Sequence, residues 1–121
     1  MTIEKVVRIS EAIKSIADND KLDFQISYRL GRIQDKCESI VKNFQKQELK
    51  LRERFADELK NAVTANDEAK QQEINKEFNV KMTELLEFEE TLEIPTFTLK
   101  DFENKGVPVK FFSALGDYIK E

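Results

Sequence analysis

The stretch ISYRLGRIQDKCESIVKNFQKQELKL, running from Ile26 to Leu51, decides how this chain folds. Its apolar side chains recur at Ile26, Leu30, Ile33, Cys37, Ile40, Phe44 and Leu51. The steps are four, three, four, three, four and seven residues, the seam spacing of two helices packed side by side, whereas a half-buried strand would alternate. Gln47 occupies the position skipped in the last step. A polar side chain in such a seam either fixes register or faces water where the helices part, and the spacing leaves both readings open.

Outward from this stretch, residues 21–63 contain no proline and only one glycine, Gly31, so the spacing predicts a single long helix. After Leu51 the steps to Phe55 and Leu59 are both four, and the stripe drifts around the helix. About 40 residues at 1.5 Å each give a length of roughly 60 Å. Thr64-Ala65-Asn66-Asp67 breaks the pattern, with Asn66 or Thr64 as the candidate cap of a second helix over residues 67–92. That helix carries Ile74, Phe78, Leu85, Phe88 and Leu92 on one stripe, widened by Met82 and Leu86. So short a connection between two long helices predicts an antiparallel hairpin. Charge favours the pairing: residues 21–54 hold nine bases against five acids, and residues 67–93 hold three bases against nine acids. Exposed ion pairs contribute only about 0–1 kcal/mol each, so apolar burial must supply most of the stability.

The second helix is the shorter, reaching back only to about residue 36 and leaving the seam from Phe24 to Ile33 for the two ends of the chain to cover. Thr2 to Ile9 is short and rich in β-branched residues, which predicts a strand over residues 2–9. Ser10 then reads as the cap of a short helix over residues 10–19, ending in the polar cluster Asp18-Asn19-Asp20. Residues 93–99 read as extended, with Pro95 restricting them to an edge and Thr2–Ile9 as their partner in a two-stranded ribbon. Asn104-Lys105-Gly106 is a turn, and Pro108 opens a C-terminal helix over residues 108–120. Its apolar face is Val109, Phe112, Leu115 and Ile119, with Phe111 and Tyr118 beside it. The fold class expected is mainly α: one domain over residues 1–121, built on a long, coiled-coil-like antiparallel helical hairpin with a short N-terminal helix, a two-stranded β ribbon and a C-terminal helix.

Composition narrows the function. Of 121 residues 36% are charged, and the net charge is -4. The isoelectric point is near 5.1 and the mean hydropathy is -0.57. An acidic balance argues against a generic nucleic-acid binder. No apolar run approaches the roughly 20 residues that span a bilayer, and no basic segment followed by an apolar one marks a secretory signal. Cys37 is the only cysteine, which fits a reducing compartment. The location expected is the cytoplasm. Histidine is absent, and three glycines are too few for a phosphate-cradling loop. No enzymatic activity, cofactor or metal is expected.

Each candidate site has a plain structural counterpart. Asp18, Asp20 and Asp23 have spacing that can hold a hard cation, but the turn glycine and terminal glutamate of a calcium loop are missing, so they read as a polar turn. Glu89 and Glu90 would need a cleft to act as acid and base, and they read as part of a solvated face. Lys42, Lys46, Lys50, Arg52 and Arg54 can meet phosphates, or simply oppose the acidic helix. Cys37 reads as a small buried hydrophobe, and Tyr28 with Arg32 as a contact surface or the rim of the core. The open distal hairpin is the least covered surface. Gln47, Lys50, Arg54, Glu58, Lys70 and Glu73 are its candidate interaction residues.

Three stretches, Asp23 to Leu30, Phe78 to Ile94 and Val107 to Glu121, together resemble a family of small tailed-phage proteins of unknown function. The resemblance rests on apolar spacing and element order along most of the chain. It implies a phage or prophage origin, so that the cytoplasm expected is that of the host cell, with virion association as the other reading, and it brings no catalytic residues. The function expected is that of an accessory protein acting on a protein partner of host or phage, by inhibiting a host defence protein or assisting virion assembly. A homodimer through the long helix and a nucleic-acid-associated protein using the Lys42–Arg54 face are the further readings.

Overall fold

The computed structural model describes residues 1–121 as four α-helices, α1 (Ile3–Ser15), α2 (Phe24–Thr64), α3 (Glu68–Leu86) and α4 (Val109–Leu115). Two short strands, β1 (Phe97–Thr98) and β2 (Ile119–Lys120), complete it. The fold is mainly α and is organised by α2, whose 41 residues run without a break.

The hairpin follows the predicted spacing. Asn66 adopts a left-handed φ of 55° in the turn, and the Asp67 carboxylate accepts the Lys70 backbone N–H at 3.0 Å, so Asp67, not Asn66 or Thr64, caps α3. Helix α3 ends at Leu86, short of residue 92. Beyond it the backbone pairs with the start of the chain: Met1 and Glu90 exchange two N–H to C=O bonds of 2.7 Å, and the Ile3 N–H donates to the Phe88 carbonyl. Phe88 and Leu92 therefore lie off the helix.

The N-terminal segment corrects the expectation of a strand. Residues 2–9 begin a helix that runs through Ser15. Thr2 caps it by accepting the Lys5 N–H at 3.2 Å, and Glu4 pairs with Arg8 one turn on at 2.7 Å. Ile3, Val6, Ile9, Ala12, Ile13 and Ile16 are all buried, a helical period that packing against α2 enforces over β-branched propensity. Ser10 is not a cap but an interior residue, buried, whose hydroxyl accepts from the Gln34 amide at 3.1 Å.

The ribbon partner is also different. β1 pairs in parallel with β2, Phe97 beside Ile119 and Thr98 beside Lys120, while Thr2 makes only a single antiparallel bridge with Glu89. The C-terminal helix is correspondingly shorter than residues 108–120: α4 stops at Leu115 and a 3-10 turn, Gly116–Tyr118, leads into β2. Phe111 and Leu115 are its buried residues, whereas Val109 is exposed. Gly106, with φ 73°, supplies the left-handed turn before it.

Two cores result. The larger, at the base, joins Val6, Ile9, Ala12, Ile13 and Ile16 of the N-terminal segment to Ile26, Leu30, Ile33 and Cys37 of α2. Phe97, Phe102, Phe111 and Leu115 close it from the C-terminal end, with Phe102 centred among Phe97, Phe111 and Phe112 at ring separations of 5.5, 4.9 and 6.3 Å. Asn19 ties the base together by donating to the Lys105 carbonyl at 2.7 Å. The smaller core, in the distal arm, has only Phe55, Ala62 and Ile74 fully buried, with Leu51, Leu59 and Phe78 packed around them. No helix is long and apolar enough to cross a membrane.

Candidate functional site

The predicted distal residues occupy one side of the arm. Gln47, Lys50, Arg54 and Glu58 are all exposed. Lys50 and Arg54 each precede a core position of α2 (Leu51, Phe55), and Glu58 precedes Leu59. Lys70 and Glu73 are exposed on α3, and Glu73 likewise precedes Ile74. In an antiparallel hairpin the residues preceding the core positions of both helices lie on the same side, so this set forms one charged strip. Arg54 and Glu58 pair within α2 at 3.8 Å, and the Arg54 guanidinium lies 5.4 Å from the Phe55 ring. Gln47 faces water at the rim of a hollow of about 200 Å³ lined by Ile3, Ile40, Phe44, Leu85 and Phe88, where the arm meets the base. Of its two readings, the solvent-facing one holds.

The opposite charges of the two helices are not converted into ion pairs between them. Arg52 pairs with Glu48 at 3.7 Å and Lys81 with Glu84 at 3.5 Å, both within one helix. The charged contact across the hairpin is instead Arg52 over the Phe78 ring, at 5.4 Å. The basic face is thereby divided: Arg52 and Arg54 are engaged by carboxylates, and Lys42, Lys46 and Lys50 are exposed without an ion pair.

Asp18, Asp20 and Asp23 do not converge, and nowhere do three acidic, cysteine or histidine side chains come close enough to hold a metal ion. Asp23 is the N-cap residue of α2 but makes no side-chain cap bond. Glu89 sits beside the Met1 nitrogen at 3.1 Å, and the Glu90 backbone is held by Met1. Cys37 is fully buried in the base, where loss of solvation pushes its thiol up from 9.0 to about 11.

The feature that stands out from this polar surface is at the other end of α2. Phe24 and Tyr28 are 81% and 57% exposed, and their rings stack at 6.2 Å with an interplanar angle of 27°. Gly31 lies on the same helix face, at i+7 from Phe24, and a Cβ built there meets nothing within 4 Å. Neither backbone conformation nor packing requires that glycine. The apolar pattern groups Phe24 with the seam that the chain ends must cover, and the structure leaves it bare. Its position already separates it from the seam: two residues before Ile26 is about 200° around the helix.

No protein-family model, no curated protein and no solved structure matches this chain.

Proposed function

We propose that this is a non-enzymatic accessory protein, of phage or prophage origin, that works by binding another protein. The single observation that carries the binding reading is the stacked, exposed Phe24–Tyr28 pair on the first turns of α2. Aromatic side chains are enriched where interfaces concentrate their energy, and a flat patch beside Gly31 lets a partner backbone approach closely. The base core holds this patch on a rigid helix. The origin, and with it the choice between inhibiting a host defence protein and assisting virion assembly, rests on the resemblance to small tailed-phage proteins.

The test is a pair of variants on a folded chain. Phe24→Ser with Tyr28→Ser leaves the far-ultraviolet spectrum unchanged and removes a stoichiometric partner that the native chain retains from infected-cell extract. Retention by this variant, with loss on Lys50→Glu with Arg54→Glu, would move the binding site to the charged strip of the arm. Gene deletion separates the two roles: plating that falls only on hosts with an active defence system marks an inhibitor, and fewer complete particles on every host marks an assembly factor.

Nucleic-acid association is the lesser reading. Only Lys42, Lys46 and Lys50 remain as unpaired cations on that face, set against a net charge of -4. A salt-sensitive gel shift, lost on replacing these three lysines, would promote it.

A further inference from the structure

The two sides of the distal arm differ in charge. The residues that precede core positions form the charged strip, extended on α3 by Glu77, which precedes Phe78, and by Glu84. The residues that follow core positions are of another kind. On α2, Ala56 and Val63 follow Phe55 and Ala62, and Leu49 lies one heptad before Ala56; all three are exposed, Leu49 by 58% and Val63 by 55%. On α3, Asn75 and Asn79 follow Ile74 and Phe78, and the half-buried Met82 and Leu86 continue this uncharged stripe. Residues 67–93 hold nine acids and three bases, and the stripe avoids all of them. The charged residues of the α2 part are Arg52, held by Glu48 and the Phe78 ring, and the exposed Glu53 and Lys60 on either side of Ala56.

We propose that this less charged side is closed by the same side of a second copy of the chain, related by a two-fold axis at the level of Ala56, to give a four-helix bundle. The ridge is self-complementary in that arrangement. Antiparallel pairing about Ala56 sets Leu49 against the partner copy's valine at the other end of the ridge, and alanine against alanine at the axis, where a small residue permits close approach. It also sets Glu53 of one copy beside the lysine equivalent to Lys60 in the other, twice by symmetry. Both Glu53 and Lys60 are exposed and form no ion pair within the chain, so this charge complementarity is unspent in the single copy. The ridge and the Phe24–Tyr28 patch lie at opposite ends of α2, so the dimer stands independently of the partner reading.

Three measurements test it on the full chain. Sedimentation equilibrium across a concentration series gives twice 14.2 kDa for the native chain. A mass that stays at one copy overturns the proposal. Ala56→Cys brings two thiols together at the axis and yields a disulfide-linked dimer on mild oxidation, while buried Cys37 stays silent. Failure to cross-link there, with a dimer still present, overturns the register. Glu53→Lys or Lys60→Glu alone weakens association by about tenfold, and the double exchange restores it. Single changes without effect, or a double change without rescue, overturn the charge pairing on which the choice of occupant rests. All three positions are exposed, and an unchanged helical spectrum establishes that each variant is folded.

Discussion

Replacing Ile74 by alanine should melt the distal arm while leaving the base folded. Ile74 is one of three fully buried side chains in the arm core and the only one that α3 contributes. Truncating a buried isoleucine to alanine costs about 2–5 kcal/mol, through lost transfer free energy and the cavity left behind. The rest of that core, Phe55 and Ala62 with a partly exposed rim, does not offset a loss of that size. A helix of 19 residues has little stability without tertiary packing. The four helices have 13, 41, 19 and 7 residues, so α3 holds 19 of 80, and its melting alone removes about a quarter of the helical signal. Cys37 provides an independent probe of the base, since it is the chain's only thiol and is buried there. In the Ile74→Ala variant, the helical ellipticity should fall by at least that quarter while a thiol reagent still fails to label Cys37. Labelling that rises in step with the loss of ellipticity would show that base and arm unfold as one unit, and the two-core description would be wrong.

Gly31→Ala should stabilise the chain by about 0.5–1 kcal/mol, because the added methyl meets open space and alanine orders at lower entropic cost in a helix. At about 2.1 cal/mol/K per residue of unfolding entropy, that is a rise in Tm of roughly 2–4 °C by calorimetry. Phe102→Ala removes the centre of the aromatic cluster and should cost about 3–5 kcal/mol in denaturant titration, whereas Phe88→Ala, at a position 60% exposed, should cost far less. Stability should fall at alkaline pH through Cys37, whose thiol rises from 9.0 to about 11 on burial. Below pH 9 the thiol keeps its proton in both states and its contribution is intact. Between pH 9 and about 11 the unfolded chain releases a proton that the folded chain retains, so stability is lost across that window. Its extent is roughly 3 kcal/mol at 1.36 kcal/mol per unit, and the gap between native and Cys37→Ala stability should narrow accordingly.

The hairpin was legible because its signal is periodic and long. The steps from Ile26 to Phe44 place those residues on one face whatever the tertiary surroundings, and burial follows them closely, with Ile40 only partly covered. The terminal elements were harder to read because their structure depends on contacts far along the chain. Ile3, Val6, Ile9 and Ile13 fit a helix, yet the β-branched run from Thr2 to Ile9 also fits a strand, and packing onto α2 decides between them. Nothing local in Phe97–Thr98 designates Ile119–Lys120 as its partner. The interaction surface divides in the same way. The exposure of Lys50 and Arg54 was readable from their distance from the stripe, whereas Gln47 occupies a seam position and its exposure shows only in the structure. The exposure of Phe24 was readable too, since it lies about 200° around the helix from Ile26, and grouping it with the seam overlooked that angle.

Helix α2 passes through both cores without a break, and the arm touches the base only where α3 ends. Inserting seven residues on each side of the Thr64–Asp67 turn would keep every core position in phase and lengthen the arm by about 10.5 Å. None of the contacts of α1, α4 or the strand pair would change. The reach of the arm is therefore a quantity separate from the fold, adjustable in steps of two heptads, and it sets how far beyond the base a bound object can be spaced.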